Sequence, residues 1–277
     1  MVFIAKTFED FKNDEETSGI YSGVPNDDYN MSAGLRRSSM TALMTSAKFY
    51  KWRQSNPMTS TEALTFGTAF HTAALEPDLW GTDCIVGPSV GKRTNKWKEF
   101  KEANSKKIII HPDDVEIINN MLFTLRTNKI AMSFFENSSK EETAYATING
   151  QKLKARSDLV LYDRGILADV KTTQDASFNE FQRSSAKYKY DVQAAYYLDV
   201  FNAAAKGQVK FDKFVFIAVE KNEPHHVQVY VADPAFIISG RSKYQDALEL
   251  LAKCEKTGEW PEYSNEVLNL TLPRWAQ

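Results

Sequence analysis

The chain has 277 residues, 43% of them apolar and 25% charged, with a net charge of −2. That length can bury a sizeable core, the composition is ordinary for a soluble globular protein, and the charge balance counts against a general nucleic-acid coat, which carries a basic excess. No apolar run is long enough to span a bilayer, MVFIAKTFEDFKND lacks the marks of a secretory signal, and two distant cysteines, Cys84 and Cys254, exclude an iron–sulfur cluster and argue against a zinc site or disulfide framework, so a cytoplasmic location with no membrane contact is expected.

Residues 1–35 are polar, with Gly-Val-Pro and Asn-Asp-Asp turns, and read as an N-terminal arm or irregular lead-in. Residues 36–277 are expected to form a single domain. Ser38 or Ser39 looks like an N-cap, and Met40, Leu43, Met44, Ala47 and Tyr50 have helical spacing. A second helix is predicted from about Ser60 to Leu75, closed by Glu76-Pro77. A short strand is predicted over 82–87, and a basic, polar, mobile segment over 88–111. His-Pro-Asp-Asp then opens an amphipathic helix over 112–128, with Pro in its first turn.

Three short strands follow at 141–148, 151–161 and 165–171, divided by Asn-Gly and Tyr-Asp-Arg-Gly turns. A helix is expected from Tyr188 to Ala205, a strand pair at 211–220 and 225–232, and a long helix over 234–256. The economical architecture is one α/β domain, a mixed sheet flanked by helices.

Two basic clusters can contact phosphates: Arg36, Arg37, Lys48, Lys51 and Arg53, and the run Lys92, Arg93, Lys96, Lys98, Lys101, Lys106 and Lys107. Solvated helix faces look the same in sequence. The strand segment Leu167-Ala-Asp169-Val170-Lys171 is more specific. Residues two apart on a strand share a face, so Asp169 and Lys171 point together. Asp158, on the preceding strand of a tight hairpin, can come alongside. Two carboxylates suit a hard divalent ion such as Mg²⁺. Such an ion activates water towards a phosphodiester, and a lysine stabilises the developing charge. Gln193 and Tyr197 are four apart on one helix face and can hold water or phosphate oxygens. Glu141 and Glu142 precede a strand, and alternation lets only one of them face the metal.

The ordered set Gly67, His71, Leu75-Glu76-Pro77, Glu-x-Thr-x-Tyr (141–145), Lys-x-Arg-x-Asp (154–158), Asp-x-Lys-Thr-Thr (169–173) and Gln-x-x-x-Tyr (193–197) resembles the exodeoxyribonuclease VIII branch of the PD-(D/E)xK nucleases. More distantly it is similar to the phage lambda type of recombination exonuclease. The similarity runs on through Phe216–Lys221 and Thr257–Pro261 to Leu272-Pro273-Arg274-Trp275-Ala276. It departs at Ser157, where the family commonly has proline, and in the N-terminal arm.

The resemblance implies a restriction-endonuclease-like core. It implies that Asp158 and Asp169 bind Mg²⁺, with Mn²⁺ expected to substitute, helped by the carbonyl of Val170. His71 would sit at or near a second metal position, Lys171 would act on the attacking water, and Gln193 and Tyr197 would complete the pocket. Glu141 aligns slightly better than Glu142 with the family's strand glutamate. Arg36 and Arg37 would hold the 5′ phosphate, and Lys92, Arg93 and Lys96 would contact DNA. Relatives are ring-shaped oligomers, so a trimer or tetramer is expected. They degrade one strand of linear duplex DNA from 5′ to 3′ and hand the 3′ strand to a single-strand annealing protein. A nuclease of other polarity, an endonuclease, and a non-catalytic DNA-binding or defence-interaction protein on the same scaffold are the alternatives.

Overall fold

The computed structural model describes residues 3–56 and 60–272, so Pro273–Ala276 of the similarity lie outside the described residues. It opens with α1 (Phe8–Asn13), β1 (Gly19–Tyr21), α2 (Asn26–Met31), α3 (Arg37–Thr45), α4 (Ala47–Ser55) and α5 (Glu62–Leu75). Next come β2 (Cys84–Val86), α6 (Asn95–Ala103), β3 (Ile108–Ile110), α7 (Pro112–Thr127) and α8 (Lys129–Phe135). The central part is β4 (Ser139–Ile148), β5 (Gln151–Leu161), β6 (Ile166–Thr173), α9 (Phe178–Tyr188) and α10 (Tyr190–Ala205). β7 (Lys213–Glu220), β8 (Val227–Val231) and α11 (Pro234–Thr257) complete the fold.

Six strands form one mixed sheet in the order β1-β4-β5-β6-β7-β8. Within this sheet β6 and β7 alone run parallel, over eight paired positions, with α9 and α10 as their crossover. Asn149 and Gly150 both have positive φ, 51° and 77°, as a two-residue turn twisted to match its strands requires, so β4 and β5 form a tight hairpin. One sheet face is buried against α3, α10 and α11, through residues such as Leu167, Val192, Phe201 and Leu248. The other is buried against α5, α7 and α8, through Phe70, Leu122, Ala168 and Val170. The mixed sheet flanked by helices bears out the α/β expectation. No helix among the described residues is long and apolar enough to cross a membrane.

Within the expected N-terminal arm, residues 19–21 join the central sheet. Gly19, Ile20 and Tyr21 pair with β4 as the sheet's edge strand, and Tyr21 and Tyr145 are fully buried together. The buried Lys154 ammonium ties α2 to the sheet by donating to the carbonyls of Tyr29 (2.6 Å) and Ser32. The single helix expected around Met40–Tyr50 is two. Ser46 is extended, with φ −169°, and its hydroxyl caps α4 by accepting from Phe49 N at 3.0 Å. The segment 88–111 is ordered as α6 and β3, because Trp97 packs inward against His111 and β3 pairs with β2.

Candidate active site

The site forms where β5 leaves its neighbours. The β5–β6 ladder has three pairs, the last joining Leu159 to Ala168. At the next step the Asp158 carboxylate bridges the gap by accepting the Val170 N–H at 2.7 Å. On the other side, β4 pairs Lys140 with Leu159 and Glu142 with Ser157, and skips Glu141 and Asp158 between them. Glu141 has a φ of +54°, a left-handed conformation that costs a non-glycine residue about 1 kcal/mol or more. Ala155 and Val160, of opposite parity, both pack in the same core, so the alternation of β5 slips between them, at Arg156–Asp158. The local distortion aims two carboxylates into one space.

α5 crosses this gap and brings His71. Its Nδ1 lies 3.4 Å from Asp158 Oδ2. One ligand atom each from His71, Glu141 and Asp158 lies within 4.8 Å of the others. Ligand atoms on one Mg²⁺ stand about 4.2 Å apart across the ion and about 3 Å apart when adjacent, so the three groups would draw inward to hold it. The electrostatics fit it too. Burial and then the charge of Asp169 raise the Asp158 carboxyl well above the ordinary range. Burial and then the charge of Asp158 push Glu141 up to about 7, against the opposing pull of Arg156. Burial lowers His71, leaving a neutral imidazole able to act as a ligand. A crowd of under-compensated carboxylates beside a neutral histidine is a donor set that suits a divalent cation.

Asp169 stands next to this set and is 3% exposed. Lys171 forms an ion pair with its Oδ2, which bears out their shared face, and the Gln193 amide donates to its Oδ1. Each oxygen keeps a further lone pair for an ion. Lys171 also lies 5.1 Å from the centre of the Tyr190 ring. Arg37, at the start of α3, donates to Gln193 Oε1 at 3.5 Å and to the Tyr188 carbonyl at 3.3 Å. Tyr197 packs edge-on against Phe214 at 6.0 Å, and burial, then the neighbouring Tyr29 and Asp169, raise its hydroxyl well above the ordinary range.

The structure therefore brings together His71, Glu141, Asp158, Asp169, Lys171, Gln193 and Tyr197, with Val170 supplying its N–H. It separates the two glutamates. Glu142 turns to Ser22 (2.6 Å) and Tyr162 (3.2 Å), away from the cluster. It separates the two arginines as well. Arg36 bonds Asn30 and lies over the Tyr29 ring, facing α2. Lys92 is engaged by Asp114 (3.0 Å) and Glu62 (3.6 Å), while Arg93 and Lys96 are exposed. Arg156 is an unforeseen participant. It is ion-paired to Glu141, lies 3.8 Å from Glu76 and donates to the Val24 carbonyl at 2.9 Å. Its place two residues before Asp158 was a signal for it.

The sequence pattern of a family described as a PDDEXK-like domain of unknown function (DUF3799) matches residues 38–271. No curated protein matches the chain. Among solved structures, a proposed exonuclease from Eubacterium rectale is similar over 87% of this chain and 91% of its own, with TM-score 0.58 and 12% identity, a likeness of fold alone. A phage-related exonuclease from Haemophilus somnus is similar over 83% of this chain and 99% of its own, with TM-score 0.38 and 14% identity, too loose to argue from. With the mixed sheet and the cluster around Asp158 and Asp169 in place, the chain belongs to the PDDEXK-like family that spans residues 38–271.

Proposed function

We propose that this chain is a Mg²⁺-dependent exonuclease that degrades one strand of linear duplex DNA from 5′ to 3′ and leaves a 3′ single strand for recombination by annealing. The observation that carries the reading is the convergence of His71, Glu141 and Asp158 within 4.8 Å, beside the Lys171–Asp169–Gln193 array. His71, Glu141 and Asp158, with Asp169 adjacent, would hold the metal. The ion would polarise the phosphodiester and lower the pKa of water. Gln193 holds Asp169 in place, and Lys171 presents its ammonium to the charge that develops on the phosphate oxygens. Arg37, beside Gln193, would hold the 5′ phosphate, and Tyr197 would complete the pocket. Hydrolysis forms a bond from water oxygen to phosphorus and breaks the P–O3′ bond, releasing a 5′ mononucleotide.

The test is a linear duplex labelled separately at its 5′ and 3′ ends, incubated with Mg²⁺ or with EDTA, alongside a closed circle. Metal-dependent release of the 5′ label with the circle intact supports the reading. Cut circles or release from the 3′ end move the function to an endonuclease or a nuclease of other polarity. DNA bound and never cut moves it to a non-catalytic binding protein.

A further inference from the structure

A second cavity lies beside α5. It has a volume of about 620 Å³ and is lined by α5, α6 and the strand start at Ile108. Lys98, Lys101, Lys106 and Lys107 converge on it, and none of the four forms an ion pair among the described residues. The cavity's two other carboxylate-bearing contacts, Glu62 and Asp114, are taken up by Lys92, which leaves Glu102 to oppose the four. Its walls also include the half-buried apolar side chains of Phe66 and Ile108.

Four free ammonium groups gathered over an apolar wall repel one another and attract a ligand that is both polyanionic and flat-faced. We infer that this cavity binds a single strand of nucleic acid, separate from the metal site. Lysines suit the phosphates as point charges, while Ile108 and the part of the Phe66 ring that Lys221 leaves open offer an apolar surface to bases. A duplex hides its base faces in the stack, so the apolar wall favours the single strand.

The place of α5 supports this. Thr65, Phe66 and Thr68 line the cavity, whereas His71 turns to Asp158. Thr68 and His71 are separated by a helical rise of about 4.5 Å. A side-chain carbon added at Gly67 would lie 3.7 Å from Thr172 Oγ1, so α5 also abuts the end of β6. The helix thus borders the basic cavity with its first turns and carries the candidate metal ligand His71 about one turn further on. This assignment rests on the nuclease reading for its purpose, which is to hold the strand that is not cut once the duplex end has parted beside α5.

The experiment measures binding without metal, so that a failure of the nuclease reading does not touch it. Fluorescence anisotropy follows a labelled 20-mer single strand and a blunt 20-base-pair duplex in EDTA, over a series of salt concentrations. The variant replaces Lys98, Lys101, Lys106 and Lys107 with Gln. A charge-matched control replaces Lys12, Lys187, Lys253 and Lys256 with Gln, none of which lines the cavity. Thermal melts confirm that both fold.

The cavity variant is expected to lose affinity for the single strand by about tenfold or more, and its slope of log affinity against log salt should fall by roughly 3. The control should keep both, and duplex binding should weaken much less. Unchanged single-strand affinity, an equal loss in the control, or an equal loss for the duplex would each overturn the assignment. Absence of Mg²⁺-dependent cleavage with this strand binding intact would instead overturn the nuclease reading alone.

Discussion

Glu141 and Asp158 stand opposite each other on β4 and β5 at a position where the ladder between those strands lapses. Backbone distortion, burial and like charge meet at this pair, and the consequences can be measured.

Asp158 is held as a buried carboxyl beside Asp169, so its ionised form works against the metal-free fold. Asp158→Asn removes that charge and keeps an oxygen to accept the Val170 N–H. Calorimetry in EDTA should show a gain on the order of 1 kcal/mol, or about 2–4 °C for a chain of this size. Cleavage and the stabilisation by Mg²⁺ should both disappear. A variant that melts lower than the wild type in EDTA, or still cuts DNA, contradicts the placement.

Stability without metal should depend on pH in a stated direction. Glu141 titrates at about 7 in the folded chain against 4.5 as its ordinary value. Between these values the folded state holds more protons than the unfolded one, so stability falls as pH rises through that window. The melting temperature in EDTA should therefore decline from pH 5 to pH 8, and Glu141→Gln should flatten the decline. The rise produced by Mg²⁺ should be larger at pH 8 than at pH 5.5, because the ion binds the deprotonated ligands. A wild-type profile that matches the Gln variant would reject the assignment.

Gln193 links Arg37 to Asp169 without being placed to touch an ion itself. Gln193→Ala should reduce the rate about 10- to 100-fold and weaken the response to Mg²⁺, as loss of a group that orients a ligand does. Arg37→Ala should leave the Mg²⁺ midpoint near the wild-type value and raise KM for DNA. Steady-state kinetics across a Mg²⁺ titration separates the two, and identical behaviour would refute the division of roles.

Gly240 lets α11 press on α10. A Cβ there would lie 1.9 Å from the Asp191 carbonyl oxygen. Gly240→Ala should destabilise the protein by about 1–3 kcal/mol, since the obstruction is backbone and cannot rotate away. Urea unfolding measures this, and a neutral result would mean the helices are not packed so closely.

The hairpin and β6 were legible because period-two patterns flank an Asn-Gly turn, and β5 spans the expected 151–161. Asp158, Asp169 and Lys171 followed from those strands by alternation and proximity. Glu141 and Glu142 could not be told apart, because the choice turns on a backbone angle at Glu141 that no side-chain pattern announces. Arg36 and Arg37 differ by one residue at a helix start, so one faces Asn30 and the other Gln193. β1 has three residues, too few to display a period, and is a strand because β4 offers it an edge. The charged stretch around α6 concealed one inward residue, Trp97, which is enough to fasten it.

β6 is clamped on both faces: Leu167 lies in one core, Ala168 and Val170 lie in the other, and β7 pairs with the strand along its whole length. Asp169 and Lys171 thus ride on a rigid rail instead of a loop that closes over its substrate. The entropy of fixing them is lost when the chain folds, so a substrate would meet groups already aligned. Inheritance of the site then depends on apolar residues that never meet DNA. A change of volume at Leu167 or Ile217 would be read out as a change in turnover before it was noticed as a loss of fold.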